Sequence, residues 1–146
     1  MTPIAAGIAI LLLVLVAPAL GLALRRRGPR VRAVAGDERV DPTELGATSL
    51  GGIGTVVQFS TAYCTRCPGT QRLLTDLVRD RDGITFLHVD VTEDPRLATK
   101  YGLLQTPTVL FVDAAGRPRT RVSGTVTRPA LVHELNELTA LAGGTA

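Results

Sequence analysis

The stretch Thr55–Pro68 reads TVVQFSTAYCTRCP. Its first five residues form a short, β-branched, largely apolar run, which marks a buried strand. A loop follows, then two cysteines two residues apart, Cys64-Thr65-Arg66-Cys67, with Pro68 directly after. Proline suits the first turn of a helix, where its missing N–H costs nothing. From Cys67 to Arg81 the residues Leu73, Leu74, Leu77 and Val78 fall on one helical face. The cysteine pair therefore sits between a strand and a helix N-terminus, the setting in which a C-x-x-C spacing reads as a redox pair. The free N–H groups and positive dipole end of such a helix stabilise a thiolate on the first cysteine, and Arg66 adds a positive charge nearby. Two intervening residues let the sulfurs close into a disulfide, and they place the second sulfur to displace a substrate held as a mixed disulfide. Three plainer readings compete. Zinc needs four ligands, and Cys64, Cys67, His88 and His133 offer no second close pair. A structural disulfide is odd across so short a step. A buried thiol pair without chemistry is the third.

Beyond this segment, strand and helix alternate. Ile84–Val89 reads as a strand. Asp94-Pro95 starts a helix that Gly102 ends, and Thr108–Val112 is a third strand. Asp113–Gly116 is turn material, Thr120–Ser123 a short fourth strand, and Thr127 caps a helix with the face Leu131, Leu135, Leu138 and Leu141. The order β-α-β-α-β-β-α implies a parallel pair with right-handed crossovers and a sheet covered on both faces.

These residues resemble the thioredoxin family over roughly 55–142. VVQFSTAYCTRC looks like its strand-loop-helix segment, and VDVTEDPRLATKYGLLQTPT (Val89–Thr108) like the stretch leading to its cis-proline. Ser123-Gly124 matches the glycine of its last strand. The resemblance implies an α/β thioredoxin-like fold, a mixed central sheet flanked by helices. It implies Cys64 as attacking thiolate, Cys67 as resolving thiol, Pro107 as a cis-proline, and a Thr106 backbone that pairs with the substrate chain. It implies no cofactor beyond the Cys64-Cys67 disulfide itself. Tyr63 stands in for the family's tryptophan as a flat apolar lip. Thr65-Arg66 replaces the usual Gly-Pro, which bears on redox potential and direction. Gln58 takes the place of a buried acid and cannot titrate. His88 takes the place of a lysine; it either carries protons near neutral pH or is a strand-end histidine without a role. His133 reads as a polar-face residue.

Upstream, residues 4–24 (IAAGIAILLLVLVAPALGLAL) contain no charge, and a bilayer-spanning helix takes about 20 residues. Arg25, Arg26, Arg27, Arg30 and Arg32 follow, while Met1–Pro3 has no base, so the positive-inside rule keeps the arginine side cytoplasmic. The reading is a single-pass membrane helix over 4–24, a basic juxtamembrane linker over 25–50 and a folded domain over 51–142. A reversed anchor with the domain outside and a cleaved signal peptide are the alternatives. The arginines can also hold anionic lipid heads, so residues 4–32 are the candidate lipid contact.

The formal net charge of +3 comes from this cluster, because the rest of the chain is net acidic. With no Trp, two Tyr and three Phe, the chain lacks the basic surface and the stacking aromatics that nucleic acid needs. The sequence therefore points to a membrane-anchored thiol–disulfide oxidoreductase. Its partners are protein disulfides and a reductase or membrane electron donor. The alternatives are an extracytoplasmic protein of cytochrome maturation or disulfide handling, and a non-catalytic binding module.

Overall fold

In the computed structural model, residues 3–25, 28–34 and 39–144 are described, with side chains from 7–8, 10–23, 28–34 and 39–144. The helix α1 (Pro3–Arg25) comes first, then strand β1 (Arg30–Ala33) and one 3-10 turn, Thr43–Leu45. The remaining order is β2 (Gly54–Ser60), α2 (Cys67–Arg79), β3 (Ile84–Asp90), α3 (Pro95–Lys100), β4 (Thr108–Asp113), β5 (Pro118–Ser123) and α4 (Arg128–Gly143). The sheet runs β1-β5-β4-β2-β3. β2 and β3 are parallel, while β2–β4, β4–β5 and β5–β1 are antiparallel, so the sheet is mixed.

β2 is the centre of the fold and is buried at all seven positions. Strand side chains alternate between faces, and the packing follows that period. Val56, Val109, Phe111 and Val122 meet Leu74 of α2 and Leu131 and Leu135 of α4. Val57, Phe59, Leu110 and Val112 meet Tyr101, Val40 and Leu45 on the other face. Full burial of such side chains stabilises by about 1.5–3 kcal/mol each. α3 starts where Asp94 accepts from the N–H groups of Arg96 and Leu97, as an N-cap should.

Three sequence expectations change. Leu141, assigned to the buried face of α4, is 46% exposed. Leu138 already lies over Gly54, the first residue of β2, so the next turn of α4 passes the end of the sheet. Parts of the linker expected over 25–50, at 30–34 and 40–45, are built into the domain, while 26–27 and 35–38 lie outside the described residues. β1 pairs along β5, the Val34 N–H donates to the Arg119 carbonyl at 2.9 Å, and Val40 and Leu45 are core residues. β1 (RVRA) hides from hydrophobic periodicity because every residue of this edge strand is exposed, and backbone bonds hold it. The third concerns α1, whose described side chains between Ile8 and Leu22 are largely exposed. Among the described residues no helix is long and apolar enough to cross a membrane. A membrane helix over 4–24 therefore stands on the sequence alone.

Candidate active site

The site is built on the loop that leaves β2. The Cys64 N–H donates to the Thr61 carbonyl at 3.0 Å and the Cys67 N–H to the Cys64 carbonyl at 3.3 Å, which winds the loop into the first turn of α2. Cys64 and Cys67 are joined as a disulfide. Their surroundings are unequal. Cys64 is half-buried, whereas Cys67 is only 3% exposed. An incoming disulfide can reach the first sulfur, and the second is screened. Arg66, exposed at the N-cap of α2, points its guanidinium to the Thr125 hydroxyl at 3.3 Å.

Gln58 lies fully buried behind the pair. Its Nε2 donates to the Cys67 carbonyl at 2.9 Å, which pins the start of α2 to the central strand. Its Oε1 has no hydrogen-bond partner among the described residues, and a neutral amide supplies no proton. His88 is the register partner of Gln58 across β2–β3, yet its Nε2 lies 2.8 Å from the Ser60 hydroxyl instead. The imidazole is exposed and Ser60 is buried, so the pair links surface to interior beside the site. His133 sits apart, exposed on α4.

The Thr106–Pro107 peptide bond is cis. Its loop lies against the cysteine loop, with the Thr106 and Thr61 hydroxyls 3.4 Å apart. The Thr108 hydroxyl donates to the Gln105 carbonyl at 2.7 Å, and the Gly124 N–H to the Pro107 carbonyl at 3.2 Å. Gly124 has φ +84°, and a Cβ there would lie 3.1 Å from the Gln105 amide nitrogen. Tyr63, 87% exposed, stands beside the cysteines as a flat lip.

Sequence reasoning missed Ser60 and Thr92. The Thr92 hydroxyl accepts the Ala62 N–H at 2.8 Å, so the β3–α3 loop braces the cysteine loop. Thr92 also donates its hydroxyl and N–H to Asp90, and these bonds hold the Asp90 carboxyl below its usual range. Neither residue has a sequence signal, because its role depends on which strands become neighbours. Among the described residues no group of three or more His, Cys, Asp or Glu is placed to hold a metal.

A disulfide-bonded C-x-x-C lies at the N-terminus of a helix, on a mixed α/β sheet with a cis-proline loop beside it, the arrangement of a thioredoxin-like redox site. The chain belongs to the thioredoxin family, whose model matches residues 52–137. It is 39% identical over 57 residues to Thioredoxin H5 of Oryza sativa subsp. japonica, covering 39% of this chain and 42% of that protein. It therefore spans about two-fifths of the length of that relative. It is 27% identical over 64 residues to a thioredoxin of Methanocaldococcus jannaschii, covering 41% of this chain and 75% of the relative. The solution structure of a thioredoxin-like protein from Clostridium perfringens superposes with a TM-score of 0.55 at 26% identity, covering 68% and 79% of the two chains.

Gly124→Ala forces an L side chain into the left-handed region and against Gln105. We expect a loss of about 1–2 kcal/mol and slower disulfide reduction, because the strain falls on the cis-proline loop. Thermal unfolding and turnover of the same sample check this; an unchanged Tm contradicts it.

Proposed function

We propose that the protein reduces disulfides in polypeptide partners, with Cys64 as nucleophile and Cys67 as resolving thiol. The observation that carries the reading is the unequal burial of the two sulfurs at the N-terminus of α2. The Cys64 thiolate attacks one sulfur of the partner's disulfide. A mixed disulfide forms, and the partner's other sulfur leaves as a thiolate that takes up a proton. Cys67, deprotonated, then attacks the Cys64 sulfur. The Cys64–Cys67 disulfide closes and the second partner thiol is released, so two electrons have passed to the partner. A dithiol reductase or a membrane electron donor returns the pair to its reduced form. The Thr106 backbone and Pro107 hold the partner's chain, and Tyr63 lies along it. Gln58 positions the Cys67 turn without titrating. His88 contacts Ser60 at 2.8 Å at the end of the same strand pair.

For location we propose a single-pass membrane anchor over 4–24, with the domain on the cytoplasmic side. The uncharged run and the five arginines after it support this orientation. A reducing cytosol then suits a reductase.

Cys67→Ser leaves the mixed disulfide unresolved, so it accumulates covalent adducts through Cys64. Cys64→Ser forms none by this route. Non-reducing gels read both, and adducts in equal amounts from the two variants contradict the assigned roles. Protease added to intact cells stripped of outer layers should leave the domain uncut until lysis. Cleavage before lysis places the domain outside and overturns the orientation.

A further inference from the structure

β1 lies outside the family match, which begins at residue 52. It brings two arginines to one edge of the site. Arg30 pairs with Ser123 and Arg32 with Arg121 across the antiparallel β1–β5 ladder. Alternate residues share a face, so these side chains form one row. With Leu104 and Gln105 they line a cleft of about 200 Å³, and among the described residues no carboxylate lines it. Arg32 and Arg121 stand directly opposite, an arrangement that costs stability when both are charged. Arg121 donates to the Tyr101 carbonyl at 2.6 Å and the Gly102 carbonyl at 3.2 Å, both neutral acceptors, and it has no carboxylate partner among the described residues. Partial burial pulls the Arg121 guanidinium below its ordinary value, which an anion in the cleft would oppose. Three positive charges gathered around an open cleft call for a negative occupant.

The cleft is continuous with the candidate substrate loop. Gln105 directly precedes the cis Thr106–Pro107 bond, and Leu104 is 95% exposed. On the same flank Arg66 reaches Thr125, next to Gly124. Beyond Ala62 and Thr92 the opposite flank carries Asp90 and Glu93. The cysteines thus lie between a basic side and an acidic side.

We propose that this cleft is a docking subsite for a carboxylate-bearing segment of the disulfide substrate, an acidic stretch of polypeptide. It extends contact from the cis-proline loop across β5 to β1. The inference rests on the reading of that loop as the substrate-holding segment. An exposed leucine and a side-chain amide beside the arginines fit a polypeptide, which has apolar and hydrogen-bonding groups to match them. The acidic end of the segment lies toward Arg30 and Arg32, away from Asp90 and Glu93, which sets the direction of the bound chain.

The test uses the full chain in neutral-detergent micelles. Two synthetic peptides of equal length each carry one disulfide, flanked by Glu in one and by Gln in the other. The wild type reduces the Glu peptide faster, by about three- to tenfold in kcat/KM, the range that two exposed ion pairs supply. R30Q/R32Q loses that preference while reducing the Gln peptide at the wild-type rate, which also shows that it is folded. R30K/R32K keeps most of the preference, and high salt erases it in both the wild type and R30K/R32K. Equal rates on the two peptides, or a preference that survives in R30Q/R32Q, overturns the proposal. If the substitution spares the peptide preference but removes selectivity for anionic over neutral phospholipid vesicles, the cleft belongs to lipid headgroups and the proposal falls. If neither peptide is reduced by the wild type, the reductase reading fails first, a result distinct from equal reduction of both.

Discussion

The rest of the structure depends on the immobility of β2. This strand is hydrogen-bonded to β3 on one edge and β4 on the other, and both its faces are buried. Its end therefore has a fixed position and direction. The loop from Ser60 to Arg66 starts there and turns at once into α2, whose Leu74 is packed against the same sheet. With both ends of the loop held, the two cysteines are fixed at the N-terminus of α2. A redox pair needs that, because its thiolates must stay matched to the helix N-terminus that stabilises them.

Polar residues inside the sheet then divide the work. Gln58 uses a buried amide to hold the Cys67 turn, a task that needs a donor and no charge. Burying an ionisable acid there would carry a desolvation cost that the amide avoids. The amide itself cannot exchange a proton, and two residues along the strand Ser60 contacts the exposed His88. Thr92 and Thr108 play the matching part in the neighbouring loops, each spending its hydroxyl on backbone groups of the segments that flank the cysteines.

Much of this was legible in the sequence, for reasons that can be named. The β-branched run, the helix caps at Asp94 and the punctuation by Gly102 are local signals, and each acted locally as it does in peptides. The C-x-x-C pair was legible because its chemistry depends on spacing and on the helix that follows. β1 was not, because an exposed edge strand has no buried face to impose a period on its residues. Leu141 was misread because the helical face continues past the point where the sheet ends. Ser60, Thr92 and the Arg32–Arg121 juxtaposition arise only once the strand order is known, and strand order is a long-range property.

The proposed role of Cys64 as attacking thiolate requires the N-terminus of α2 to stabilise its thiolate. Alkylation of the reduced protein by iodoacetamide across a pH series, with the modified residue located by mass spectrometry, tests it most directly. Cys64 should be modified first. The reaction should also reach half its maximal rate well below the ordinary thiol value of about 8.5. Modification of Cys67 first, or a midpoint at or above that value, would contradict it.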